Sequence, residues 1–198
     1  LTQFQLSSKS GIVIAMNTIA RIRAIIQGIN NPPLRDTCYE VIDDPRFSEV
    51  PASLTYHHAY TGGLAEHTLE VLRYLNPFTV ALKPNVDVLI TAAVWHDVMK
   101  ISEYVWDNSL GHGCWTHTEN GFIEQIGHIS AGAIRFHEVA ERHKVAPELG
   151  NAVVHCILAH HGRREWGSPV EPQTLEALLL HQADMLSARF GQTKEVAP

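Results

Sequence analysis

An imidazole and a carboxylate side by side in an apolar run, His96-Asp97 after Val88-Leu-Ile-Thr-Ala-Ala-Val-Trp95, constrain this chain more than any other feature. A segment this apolar packs on all sides, so it carries the pair into the interior. Polar and charged groups are costly there unless paired, and a metal ion compensates both at once. Matching donors stand in separate apolar stretches: His67, His128, His160-His161 and Asp184. The order along the chain is His, His-Asp, His, His-His, Asp.

With 198 residues, 45% hydrophobic and 18% charged, the chain can bury a substantial core as one domain, and its composition does not indicate disorder. A net charge of −6 argues against a broad basic surface that clamps long duplexes, so a nucleic-acid substrate should be short or held by its end. The 13 His nearly equal the 15 Lys and Arg, a ratio that points to metal or proton chemistry. Cys38, Cys114 and Cys156 show no Cys-x-x-Cys spacing and cannot all pair within one chain, which fits a reducing cytoplasm. No apolar run approaches the roughly 20 residues that cross a bilayer. Residues 11–26 are interrupted by Asn17, Arg21 and Arg23 and carry no signal-peptide cleavage pattern. Residues 1–15 precede an internal Met16 and read as a tag remnant or an upstream tail, leaving 16–198 as a single domain.

Pro and Gly punctuation divides the chain into helices, an all-α bundle. They are expected near Asn17 to Gln27, from Pro32 to Asp43, from Leu64 to Leu82, from Val86 to Ile101, from Gly127 to Lys144, from Pro147 to His161 and from Pro172 to Arg189. Residues 102–118, with Tyr104-Val-Trp106 before a polar stretch and Trp115 after it, read as a small hairpin or loop insertion.

Consecutive residues in a helix diverge by about 100°, so His96 and Asp97 can reach neighbouring points along one buried edge and Asp97 can bridge two ions. His160 and His161 repeat that adjacency. Nitrogen-rich ligation with two carboxylates suits two divalent transition-metal ions, Mn, Fe, Ni, Co or Zn, better than Mg or Ca. Two such ions outweigh two aspartates by about two positive charges, which attracts a phosphate. A water bridging them becomes hydroxide near neutral pH and attacks phosphorus without a protein nucleophile.

The ordered set His67, His96-Asp97, His128, His160-His161 and Asp184 resembles the HD-domain metal-dependent phosphohydrolase superfamily. The closer similarity is to the catalytic HD domain of YhaM-type 3′-to-5′ exoribonucleases. It runs through His57-His58-Ala-Tyr-Thr-Gly-Gly-Leu-Ala-Glu-His67, Gly127-His-Ile-Ser130, His160-His-Gly with Trp166-Gly-Ser-Pro169, and Leu175 to Asp184. The resemblance implies one metal on His67, His96, Asp97 and Asp184 and a second on Asp97, His128, His160 and His161. It makes Asp97 and Lys100 catalytic, with Lys100 on the substrate phosphate. That family usually carries an OB domain, and this chain has no strand-rich segment to build one, so a separate RNA-binding partner or a homo-oligomer is compatible with it. Position 63 is Gly rather than the Glu of trinuclear HD-GYP relatives, and the GYP motif is absent.

The expected function is therefore release of nucleotides from the 3′ end of short single-stranded oligonucleotides. A mononucleotide phosphatase is the alternative, and a di-iron oxygenase or a non-catalytic nucleotide sensor are less favoured. His57, His58, Lys100, Arg163 and Arg164 are the candidate substrate contacts. Helix capping competes for the two histidines and solvation for the arginines. His155 and His181 read as core histidines or supports for ligands. His112, His117, His137 and His143 read as non-ligands, and Trp106, Trp115 and Trp166 as packing residues that could also stack a base.

Overall fold

The computed structural model describes residues 10–109, 113–119 and 121–193, and the side chains of 18–109, 113–119 and 121–189. Its helices are α1 (Ser10–Ile26), α2 (Pro32–Ile42), α3 (Gly63–Leu82), α4 (Val86–Trp95), α5 (Lys100–Glu103), α6 (Gly121–Arg142), α7 (Pro147–Ala159) and α8 (Leu175–Thr193). A two-stranded antiparallel hairpin, β1 (Tyr104–Asp107) with β2 (Cys114–His117), pairs Trp106 with Trp115 inside the expected insertion. The fold is all-α with this one small hairpin among the described residues, as the sequence implied. Helix α1 begins at Ser10, within the stretch read as a tail, whereas residues 1–9 lie outside the described residues, as does His112.

Local chemistry sets the helix starts. Asn31 accepts from the Leu34 amide at 3.0 Å ahead of Pro32 and Pro33, and Asn85 accepts from the Val88 amide at 3.2 Å. Helix α4 is apolar around its circumference and therefore sits at the centre, flanked by α2, α3, α7 and α8. At its end Trp95 packs edge-on against Phe136 of α6, with ring centroids 5.3 Å apart. No helix among the described residues is long and apolar enough to cross a membrane.

Several helix boundaries differ from the sequence expectation, α7 for one stopping at Ala159 rather than His161, and two of the differences reshape the site most. The helix expected from Val86 to Ile101 stops at Trp95, and His96 to Met99 form a turn before α5. That turn is tightened by bonds to the third residue back, Lys100 N–H to Asp97 at 3.0 Å and Ser102 N–H to Met99 at 2.9 Å. Helix α6 begins at Gly121 rather than Gly127, and Gly127 kinks it with φ 73° and ψ 157°, a conformation essentially reserved for glycine. His128 follows that kink directly.

Phe136 is fully buried against Trp95, the residue preceding the His-Asp pair. Phe136→Ala should lower stability by about 3–5 kcal/mol, read by urea denaturation. A loss below about 1 kcal/mol would show that this contact does not hold the end of α4.

Candidate metal centre

Seven side chains from five segments converge. His67 comes from α3, His96 and Asp97 from the turn after α4, His128 from α6, His160 and His161 from the turn after α7, and Asp184 from α8. The donor atoms of His67, His96 and Asp184 all lie within 4.8 Å of one another, as do those of His128, His160 and His161. Asp97 stands between the two groups. Its Oδ2 is 3.6 Å from His67 Nε2 and 3.5 Å from His96 Nε2, and its Oδ1 is 3.4 Å from His128 Nε2 and 3.6 Å from His160 Nε2.

Each imidazole is oriented through its other nitrogen. His96 Nδ1 donates to the Ala93 carbonyl at 2.8 Å, and His160 Nδ1 does the same to Ile157 at 2.7 Å. In both cases the acceptor is three residues back, at the end of a helix. His161 Nδ1 donates to the Trp166 carbonyl at 2.7 Å. His67 Nδ1 meets Ser187 Oγ at 2.9 Å, and Ser187 in turn donates to Glu70 at 3.0 Å, so the hydroxyl accepts from the ring. His128 Nδ1 faces the Glu103 carboxylate at 3.3 Å. A carbonyl only accepts, so in the neutral rings the proton stays on Nδ1 and the Nε2 lone pair is free.

This donor set fits a metal. With Nδ1 protonated, the Nε2 lone pairs of His67 and His96 would face each other at 3.1 Å, a repulsive contact that a cation relieves. Asp97 Oδ1, His128 Nε2 and His160 Nε2 are buried without a hydrogen-bond partner and gather at the second group. Burial pushes His96 and His161 down to about 4, so both are neutral at pH 7. Burial also opposes ionisation of Asp97, but Lys100 and His96 outweigh it and hold the carboxyl well below its usual range. For His160 burial opposes charge, yet Asp97 raises the ring above its ordinary value. A pull that favours a proton on that lone pair favours a metal ion equally.

The other nominated residues are placed unequally. Lys100 is buried, ion-pairs with Asp97 Oδ2 at 3.0 Å, donates to the Ala52 carbonyl and lines the cavity beside the cluster. His57 also lines that cavity, and burial pushes it down to about 3. His58, at φ 50°, is turned inward to Glu70 at 3.2 Å and does not line it. The Arg163 guanidinium lies 5.0 Å from the Trp166 ring centroid, and Arg164 is exposed; neither lines the cavity. His117 approaches Glu103, His137 pairs with Glu141, His143 with Glu40, and His155 accepts from the Gln173 amide.

Sequence reasoning missed Glu103, Glu70 and Ser187, which orient His128 and His67 from behind. It also read His181 as a core residue or support. His181 does donate to the His160 carbonyl at 2.9 Å, but it lines the cavity as well, against Gly162, whose φ of 81° and lack of Cβ admit the ring. Ser187 lies three residues after Asp184, a helical spacing that could have flagged it.

Known proteins match this chain. The HD domain family model covers residues 64–189, a span that holds His67 through Asp184. The 3′-5′ exoribonuclease YhaM of Listeria innocua serovar 6a is 34% identical over 152 residues, 76% of this chain and 46% of that protein. The enzyme of the same name from Bacillus pumilus is 34% identical over 147 residues, 73% of this chain and 44% of that protein. The chain thus spans about half the length of the curated relatives it matches. No solved structure matches it. With the family model matched from Leu64 to Arg189 across every residue of the cluster, the chain belongs to the HD-domain family.

Proposed function

We propose that this chain is a metal-dependent phosphohydrolase that releases nucleotides from the 3′ end of short oligonucleotides. The observation that carries the reading is Asp97, one carboxylate oxygen toward each of two groups of oriented imidazoles. The named activity of the YhaM relatives supports the direction of attack and the polymer.

In this reading His67, His96 and Asp184 would hold one divalent ion, His128, His160 and His161 would hold a second, and Asp97 would serve both. Mn, Fe, Ni, Co and Zn all suit such donors. When bound, the pair supplies Lewis-acid polarisation of the phosphoryl oxygens and lowers the pKa of a coordinated water enough for attack at neutral pH. The chain's own residues do the rest. Lys100 commits two of its three N–H donors to Asp97 and Ala52, leaving one for a phosphoryl oxygen. Burial lowers the charged form of Lys100, but Asp97 outweighs it, so the ammonium stays charged and offsets the phosphate. His57 borders the same cavity as a neutral ring able to donate or accept a hydrogen bond there.

Protein reconstituted separately with Mn and Fe, given end-labelled oligoribonucleotides of graded length and mononucleotides alongside, tests this directly. A ladder of 5′-mononucleotides from the 3′ end is expected; inorganic phosphate from mononucleotides alone would replace the reading with a nucleotidase. Asp97→Ala should lose metal and activity together, by metal analysis and rate, and full activity in that variant would refute the bridge. Lys100→Ala should keep its metal and raise KM. Glu103→Gln should weaken metal binding about 10–100-fold through His128, measured by competition with a chelator.

A further inference from the structure

We infer that the cavity beside the metal centre is a mononucleotide subsite, with the base against Trp166 and the phosphate at Lys100. This rests on the phosphohydrolase reading and adds to it which part of the substrate is held where.

The cavity measures about 310 Å³, near the lower end of small-ligand pockets and suited to one nucleotide rather than a run of them. Asp97, Lys100 and Asp184 give it a polar, ion-binding side. Trp166, Met185 and Ala188 give it an apolar one. Helix α8 ties the two together, because Ala188 lies four residues, a rise of about 6 Å, beyond Asp184. A phosphate at Lys100 therefore leaves its nucleoside alongside that wall.

Trp166 is suited to a base for three reasons. The residue is 45% exposed although it stands beside a buried cluster, and it lines the cavity while the Arg163 guanidinium lies 5.0 Å from its ring centroid. Its carbonyl holds His161, so its backbone is registered to the metal centre. The small side chain of Ala188 and the thioether of Met185 add soft apolar surface to the same cavity lining. Arg189, on the same lining, makes no ion pair among the described residues and suits an anionic ligand. His181 commits Nδ1 to the His160 carbonyl, which leaves Nε2 as an acceptor for a ribose hydroxyl.

The test is calorimetric titration of the metal-loaded chain at 4 °C with 5′-AMP and with ribose 5-phosphate, which lacks the base. Wild type should bind AMP about 10-fold more tightly or better, the contribution expected of one stacked base. Trp166→Leu should bring AMP down to the ribose 5-phosphate level while leaving ribose 5-phosphate unchanged, and Trp166→Phe should restore most of the difference. The carbonyl that orients His161 is present in both variants. Equal binding of the two ligands by wild type, or an equal loss of both in Trp166→Leu with no rescue by Phe, would overturn the subsite. If Trp166-dependent AMP binding is found but no oligonucleotide is cleaved, the subsite stands and the hydrolase reading falls. If oligonucleotides are cleaved and Trp166→Leu changes neither AMP affinity nor KM, the subsite falls alone.

Discussion

Placing the Nε2 atoms of His67, His96, His128, His160 and His161 around Asp97 and Asp184 is the constraint on which the rest of the molecule depends. Buried polar groups of this density are tolerated only when each has a partner. The fold gives each ring an oxygen facing Nδ1 and leaves the opposite nitrogen for the centre. Those oxygens come from α4, α5, α7, α8 and the turn at Trp166, so packing of the helices and orientation of the donors are one requirement.

The ends of α4 and α7 show how the backbone takes part. Each helix stops just before a dipeptide of the donor cluster, and the histidine at the stop bonds a carbonyl of the last turn. The C-terminal ends of helices carry partial negative charge, which favours a cation placed beyond them. Two apolar helices thus bring their C-terminal ends to the same cluster, and a straight continuation of α4 through Asp97 would not have produced the tight turn seen at Lys100 and Ile101.

The sequence makes the donor set legible because an apolar helix seldom carries His or Asp unless an ion or a buried hydrogen bond offsets the cost of desolvation. His67, His96, Asp97, His128, His160, His161 and Asp184 stand out for that reason, and the hairpin stands out through its aromatic residues. The break after Trp95 is not legible, since nothing in His-Asp-Val-Met disfavours a helix; the decision is made by tertiary contacts. The Gly127 kink is likewise hidden, because a lone glycine before a helical pattern reads more naturally as a helix start. Ser187 carries a weak signal in its helical spacing from Asp184, whereas Glu103 and Glu70 carry none, and only the fold brings all three behind His128 and His67.

Charge around the cavity follows from the same packing. His58, which the sequence offers as a partner for substrate, is drawn inward by Glu70, and Arg163 is drawn onto Trp166. Among the described residues, the cations that remain on the cavity are Lys100, fixed by Asp97 and Ala52, and Arg189 on α8. One anchored and one exposed cation can hold a phosphate or two, but they do not form the extended basic track that long nucleic acids need. The net charge of −6 points the same way. Any grip on a longer strand therefore has to come from surfaces other than this cavity.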